Sequence, residues 1–235
     1  MFSKFEINHS KLFLNSKPVM SLPNPFKIQN SIRVLSVDRF SPKSHVLDKA
    51  VSILKAGGVV VHPTDTCYGF AVSVNHPEAV KRLYELKQMD GGKPVSVMVS
   101  NFSQVEYYGQ VTDKVREMGS RFWPGALTVI VSRSKNLPAF FNTGAITVGF
   151  RMPDCALCLA LVRAFGDILT TTSANISGKP STYSVPEILD QFKNQPVKPD
   201  LVLDGGILPN VLASTVVEIG DTGVKILRQG KVVMD

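Results

Sequence analysis

Two short apolar runs, Val59-Val60-Val61 and Phe70-Ala71-Val72, flank the segment Pro63-Thr64-Asp65-Thr66-Cys67-Tyr68-Gly69. The joint is too short for a helical crossover, which takes about a dozen residues or more, so the runs read as strands meeting through a loop. That tightness recurs along the chain and limits the folds open to it. Upstream, Val46, Ala50, Val51, Ile53 and Leu54 carry helical spacing from Ser44 to a stop at Gly57-Gly58. Pro77 opens a second helix with Val80, Leu83, Tyr84 and Leu86 on one side, running to Lys87 and breaking at Gly91-Gly92. Pro94 to Val99 alternates as a strand, Asp113 to Arg121 is helical, and Ala126 to Val131 and Ile146 to Phe150 are strands. A helix follows Pro153, then come a strand near Ile168 to Thr172 and a helix near Pro186 to Phe192. Leu201 to Leu203, Thr215 to Ile219 and Val224 to Leu227 are strands again. Helices alternate with strands while several strand pairs are closely joined. This predicts an α/β fold with one twisted, mixed parallel and antiparallel sheet and flanking helices.

At 235 residues and 44% hydrophobic content, the chain is large enough for one substantial core, and no low-complexity hinge divides it. The expected organisation is an extended or partly disordered leader over residues 1–35, followed by a single domain over residues 36–235. The leader holds Lys4, Lys11, Lys17, Lys27 and Arg33 against Glu6, a net +4 of the chain's +7, so the body carries only +3. That balance permits an anionic ligand without demanding nucleic acid. Organelle presequences share the leader's low acid content, but it has one arginine and no amphipathic helix, so an ordinary arm on a cytoplasmic protein is expected. No apolar run approaches the roughly 20 residues that span a bilayer. Cys67, Cys155 and Cys158 are too few for a disulfide framework and suit a reducing compartment. Cys155 and Cys158 form one C-x-x-C in an expected first helical turn. With no second ligand pair nearby, no metal site is assigned.

Four polar islands interrupt the apolar strands. In the Thr64 loop, hydroxyls and backbone N–H groups at a strand end suit a polar small molecule, the alternative being a turn that consumes its own side chains. Lys87 ends the second helix ahead of Gly91-Gly92-Lys93-Pro94, where a cation also suits the helix dipole. In Thr147-Val148-Gly149-Phe150-Arg151, alternation puts 147, 149 and 151 on one face. A guanidinium there forks onto a carboxylate or phosphate, or makes a structural salt bridge. The loop from Thr170 to Ser181 offers more hydroxyls than its turns consume and suits phosphate oxygens, although the G-x-x-x-x-G-K-[ST] spacing is absent. Ser214-Thr215 starts one terminal strand and Arg228 ends the next. His9, His45, His62 and His76 lack metal-ligand spacing, and no nucleophile, base and acid form a set. No catalytic residue is assigned, and the expected mechanism is orientation and charge stabilisation.

Several stretches share one pattern: Pro63 to Gly69, Phe122-Trp123-Pro124-Gly125-Ala126-Leu127-Thr128, Val148-Gly149-Phe150-Arg151-Met152-Pro153, Thr172-Ser173-Ala174-Asn175-Ile176-Ser177-Gly178, Asp204-Gly205-Gly206, Ser214-Thr215-Val216-Val217 and Ile226-Leu227-Arg228-Gln229-Gly230. In their order and spacing, from about Ser44 to Gly230, the chain resembles the YrdC-type threonylcarbamoyl-AMP synthases. The resemblance implies a twisted sheet with a concave basic cleft. It also implies a nucleotidyltransferase that joins L-threonine, bicarbonate and ATP into L-threonylcarbamoyl-AMP with release of pyrophosphate, Mg2+ accompanying the triphosphate. A downstream tRNA threonylcarbamoyl transferase would use the product to make N6-threonylcarbamoyladenosine. Carried over by motif, Thr64, Arg151, Thr171 and Ser214 would hold threonine, with Arg151 on its carboxylate. Lys87, Thr147, Ser173, Asn175, Ser181 and Arg228 would hold ATP.

Where that family carries Lys-x-Arg, Lys87-Gln88-Met89 puts methionine in place of the arginine. Lys93, beyond the two glycines, is the candidate replacement cation for ATP, so Met89→Arg is expected to strengthen ATP binding and Lys93→Ala to weaken it. Gln229 stands where proline is usual, and the extra C-terminal domain of longer relatives is not expected. The alternative reading is an RNA-binding module of the same fold, for tRNA or double-stranded RNA. A body charge of +3 without aromatics interleaved among basic residues counts against it and leaves at most a weak RNA contact. A carbamoyl-transfer domain like that of hydrogenase maturation proteins would be expected to carry zinc-finger segments, which this sequence lacks.

Overall fold

Odd and even positions of the short strands carry different chemistry, and the sheet is built on that difference. The computed structural model describes residues 32–220 and 223–234. In chain order the elements are β1 (Arg33–Ser36), α1 (Ser44–Lys55), β2 (Val60–His62), β3 (Gly69–Ala71), α2 (Pro77–Lys87), β4 (Ser96–Met98), α3 (Phe102–Tyr108) and α4 (Asp113–Phe122). They continue as β5 (Leu127–Ser132), β6 (Thr147–Arg151), α5 (Ala156–Phe165), β7 (Leu169–Ser173), α6 (Val185–Phe192), β8 (Leu201–Asp204), β9 (Thr215–Gly220) and β10 (Gly223–Arg228). The strands form one sheet in the order β1-β8-β2-β3-β7-β4-β6-β5-β9-β10. β2 and β3 pair antiparallel across the Thr64 loop, as their short joint requires, and β5 and β6 do the same. The pairs β1–β8, β2–β8, β4–β6 and β5–β9 are parallel, so the sheet is mixed as the sequence predicts.

Alternation divides the core in two. Val59, Val61, Phe70, Val97, Val129, Val148, Phe150 and Val202 pack with the apolar faces of α2, α3, α4 and α6. Val60, Ala71, Met98, Leu169, Leu201 and Leu203 point the other way and pack with Val46, Ala50 and Leu54 of α1 and Leu157, Cys158 and Leu161 of α5. α1 and α5 cover that second face from β1 as far as Leu169 of β7 and Met98 of β4. Beyond Met98 the same face turns polar, and the site described below lies there.

Helix ends follow local chemistry. The His76 ring accepts the Ala79 N–H ahead of Pro77, and α2 stops where Gln88 takes a left-handed φ of 47°. The sequence reading misses α3. Its seven residues carry too little periodicity to show, and it is held by Asn101, whose side chain accepts the Gln104 N–H. It also misses β1. Residues 1–31 of the expected leader lie outside the described residues, but its end is a strand, registered in parallel from Arg33 opposite Leu201 to Ser36 opposite Asp204. Four residues with mixed exposure leave no alternation to read, and only pairing with β8 makes them a strand. A chain starting at Ile32 is therefore expected to keep its thermal midpoint, whereas one starting at Val37 leaves β8 without its outer partner and melts several degrees lower, by roughly 1–2 kcal/mol. Differential scanning fluorimetry of the two chains reads the difference, and equal midpoints would show that β1 adds nothing. Among the described residues, no helix is long and apolar enough to cross a membrane.

Candidate active site

On the polar stretch, small and hydroxyl side chains lie side by side across five strands. Thr171 of β7 stands opposite Ser96 of β4. A Cβ built on Gly149 of β6 would lie 2.5 Å from the Ser96 Oγ and 3.2 Å from the Thr128 Cγ2, so only glycine keeps this floor open. Thr128 of β5 is registered with Arg151, and its Oγ1 lies 3.0 Å from the Ser214 Oγ at the start of β9. Arg228, at the end of β10, donates from Nη2 to the Ser214 Oγ at 3.0 Å and to its carbonyl at 2.8 Å. Thr147, Gly149 and Arg151 share this face because the strand alternates, with Val148 and Phe150 buried behind.

The Thr64 loop closes over the arginine. Thr64 is buried, and its hydroxyl donates to the Cys67 carbonyl at 2.7 Å and accepts the Thr66 N–H at 3.1 Å. The hydroxyl thus serves its own turn, one of the two alternatives the sequence leaves open. Arg151 is buried to 8% exposure; its Nη2 donates to the Asp65 Oδ1 at 2.7 Å and to the Thr66 Oγ1 at 2.9 Å. That is the structural salt bridge the sequence allows, but it uses only part of the guanidinium. The Arg151 Nε is buried and has no hydrogen-bond partner among the described residues. A buried donor left over costs about 1–3 kcal/mol and marks a group arranged for something besides its own chain.

Lys87 joins the end of α2 to the hydroxyl loop. Its buried ammonium donates to the Ser173 carbonyl at 2.6 Å and the Asn175 carbonyl at 3.0 Å, while its own carbonyl accepts the Ser177 N–H at 2.7 Å. Burial lowers its pKa to about 8. Asn175 is buried, and its Nδ2 donates to the Ile176 and Lys179 carbonyls at 3.0 and 2.6 Å while its Oδ1 has no partner among the described residues. The loop is laced back onto the strands: the Tyr68 N–H donates to the Thr182 carbonyl and the Ala174 N–H to the Tyr68 carbonyl.

These groups act on one another electrostatically. Partial burial and then the like charge of Arg151 depress the pKa of Arg228, so the two cations face one site. Burial pushes the Cys67 thiol up against the opposing pull of Arg151, hydrogen bonds with Thr66 and Ser181, and the charge of Lys87. The Cys67 thiol thus feels the charges of Arg151 and Lys87 together. The arrangement can hold a polar anion between fixed cations and hydroxyls.

Of the residues singled out from the sequence, the structure brings Thr64, Arg151, Thr171, Ser214, Lys87, Ser173, Asn175, Ser181 and Arg228 to this region, with Thr147 four residues from Arg151 on the same strand face. Among the described residues, no hydrogen bond or ion pair joins Lys93 to them: its carbonyl accepts the Tyr84 hydroxyl at 2.8 Å, and its side chain is exposed. Met89 packs beside the core reached by α2 and lines a groove with Tyr84, Gln88 and Phe140. Sequence reasoning places Thr66 beside Thr64 at a strand end but misses Asp65, Ser96 and Thr128. Asp65 and Thr128 lie inside motifs already singled out, and Ser96 is a polar position in an alternating strand, so only pairing raises them above the background.

Behind the loop, His62 is fully buried. Its Nδ1 lies 3.2 Å from the Pro63 carbonyl and its Nε2 has no partner among the described residues. Burial lowers its pKa to about 4, with the Pro63 bond opposing and Arg151 adding to the shift. Because the folded pKa lies below the unfolded 6.5, the unfolded chain binds more protons between these values. Stability is therefore lost as pH falls from about 6.5 toward 4, by up to roughly 3 kcal/mol. Thermal midpoints measured at pH 7 and pH 5 are expected to show this loss, with a flatter profile in His62→Gln. Parallel profiles would remove His62 as the cause.

Fold and site together define an α/β protein whose mixed sheet carries a hydroxyl- and cation-lined face. The chain belongs to the Sua5/YciO/YrdC family, whose model, described as telomere recombination, matches residues 52–230. It is 33% identical over 195 residues to the threonylcarbamoyl-AMP synthase of Bacillus subtilis, covering 82% of this chain and 56% of that protein. The mouse (Mus musculus) threonylcarbamoyl-AMP synthase is 37% identical over 194 residues, covering 80% of this chain and 68% of the relative. Pyrococcus abyssi Sua5 complexed with L-threonine superposes with a TM-score of 0.78 at 29% identity, covering 84% of this chain and 57% of that one. Escherichia coli YciO gives 0.77 at 27% identity, covering 85% and 96%. The chain spans just over half the length of the Bacillus and Pyrococcus relatives it matches.

Proposed function

We propose that this chain is an L-threonylcarbamoyl-AMP synthase, a nucleotidyltransferase that makes threonylcarbamoyl-AMP and pyrophosphate from L-threonine, bicarbonate and ATP. The observation that carries the reading is Arg151, a buried guanidinium with Nη2 fixed by Asp65 and Thr66 and Nε left without a partner among the described residues. The names of the Bacillus and mouse relatives and the threonine complex of the Pyrococcus protein support it.

Arg151 takes the threonine carboxylate, with Thr64, Thr171 and Ser214 around the rest of the amino acid. Lys87, Thr147, Ser173, Asn175, Ser181 and Arg228 take the nucleotide, and Lys93 stands outside this set. The threonine amine adds carbon dioxide derived from bicarbonate and loses a proton, giving a carbamate. A carbamate oxygen then attacks the α-phosphorus and pyrophosphate leaves. The protein aligns the two reactants and keeps positive charge where the pyrophosphate develops. Mg2+ enters with the triphosphate as part of the substrate. Among the described residues, no group of three or more His, Cys, Asp or Glu could hold a metal ion. The product passes to a downstream tRNA-modifying transferase in the cytoplasm, any contact of this chain with tRNA being weak.

The test is pyrophosphate release from ATP and bicarbonate with labelled threonine. Release that depends on threonine, with the label in an AMP adduct, is the expected result. Release at the same rate without threonine, or none at all from folded protein, overturns the reading.

A further inference from the structure

Behind the Thr64 loop, the C-x-x-C pair meets the chain just before the substrate-facing residues. Cys155 is the N-cap of α5 and Cys158 lies in its first turn. Both thiols converge on one acceptor, the Pro63 carbonyl, at 3.6 Å from Cys155 and 3.2 Å from Cys158. The His62 Nδ1 approaches the same carbonyl at 3.2 Å and lies 3.4 Å from the Cys158 Sγ. Of the residues that follow, Asp65 and Thr66 hold Arg151. The function proposed above uses none of these sulfurs.

We propose that Cys155 and Cys158 form an oxidisable dithiol that holds the substrate loop in place, and that their conversion to a disulfide by a peroxide releases that loop. In the first step the Cys155 thiolate attacks a peroxide oxygen, giving a sulfenic acid and, after proton uptake, water. The Cys158 sulfur then displaces the sulfenic oxygen, its proton leaving with that oxygen as a second water. Two thiols and hydrogen peroxide thus become one disulfide and two waters. Pro63 loses both S–H donors at once, and the loop that carries Asp65 loses its support from α5.

The two sulfurs differ in the way this sequence needs. The Cys158 thiol, against the opposing effect of burial and with help from backbone N–H groups of the first turn, holds Cys155 below the ordinary thiol pKa. Burial first, and then Cys155, pushes Cys158 well above it. Cys155 retains 9% exposure, while Cys158 is fully enclosed. Spacing from a helix N-cap to its first turn is also the spacing at which C-x-x-C pairs close into disulfides. Asp65 bears on both thiols, which ties the pair to the counter-ion of Arg151.

Trypsin separates the question from Cys67, because cleavage after Arg151 and Arg163 leaves both cysteines on one peptide, 152–163, and Cys67 on another. The full chain is treated with hydrogen peroxide, alkylated, digested and mapped, and a parallel sample is followed by amide hydrogen exchange. The expected result is loss of two hydrogens from peptide 152–163, at least tenfold faster exchange over residues 63–69, and reversal of both by dithiothreitol. A Cys155→Ser chain should show neither change, and Cys158→Ser serves the same purpose if the first variant does not fold. No disulfide in that peptide, or a disulfide with unchanged exchange over residues 63–69, overturns the proposal. Its consequence for ligand rests on the threonine reading: oxidation should raise the threonine dissociation constant about tenfold. Reduced protein that binds no threonine yet shows both oxidation changes would overturn the proposed function and leave the dithiol standing.

Discussion

Arg151→Ala is expected to remove threonine-dependent pyrophosphate release from this protein. Loss of a charge-assisted carboxylate pair is worth roughly 1.5–3 kcal/mol, or about tenfold to a hundredfold in threonine affinity. The chemical step should suffer as well, since a misplaced carbamate cannot reach the α-phosphorus in line. The same substitution leaves Asp65 nearly enclosed without its 2.7 Å partner, and removing one member of such a pair costs about 3–5 kcal/mol of stability. A fold defect could therefore mimic a binding defect. The double variant Arg151→Ala/Asp65→Asn separates them, because it removes the stranded carboxylate and should recover much of the thermal midpoint while threonine affinity stays low. Calorimetric titration of threonine and a melting curve on both variants decide the matter. Unchanged threonine affinity in either folded variant would remove Arg151 from the site.

Lys87→Met is expected to have the second largest effect. The substitution removes a cation and the link between α2 and the hydroxyl loop, leaving the Ser173 and Asn175 carbonyls without their shared donor. ATP affinity should fall at least about tenfold, by the loss of one charge-assisted contact to phosphate. A pH titration gives a signature that a purely structural lysine would not. The folded pKa is lowered by burial from 10.5 to about 8, so the unfolded chain binds more protons between these values and stability rises with pH across that window. ATP binding needs the ammonium and should weaken as pH rises through about 8. Opposite pH slopes for stability and ATP affinity, both lost in Lys87→Met, are the expected outcome. An ATP affinity that stays flat from pH 7 to 9 would leave Lys87 as a loop anchor only.

Strand positions were readable because apolar runs such as Val59-Val60-Val61, alternation such as 147, 149 and 151, and the glycine and proline between them follow local rules. The short joint before Phe70 was enough to require antiparallel neighbours inside a chain that also has helical crossovers, and so a mixed sheet. β1 and α3 escaped because a strand of four residues and a helix of seven draw their stability from what they pack against. Lys93 is a different case: nearness in sequence to Lys87 suggests a shared task, while in the fold α2 ends in a left-handed Gln88 and the Lys93 carbonyl accepts the Tyr84 hydroxyl.

The types of residue in the site were likewise set by the chain itself. Hydroxyls, a strand-borne arginine and a helix-terminal lysine stand out against apolar neighbours, so their presence and chemistry needed no coordinates. Which atoms remain available could come only from the folded molecule. Thr64 turns out to spend its hydroxyl on its own loop, and Arg151 to spend Nη2 on Asp65 and Thr66 while its Nε stays unpaired. Cys155 and Cys158 meet the carbonyl of a residue some ninety positions earlier. Sequence pattern reports local preference, whereas the satisfaction of a buried polar atom depends on partners brought together across the sheet, and that is decided by tertiary packing alone.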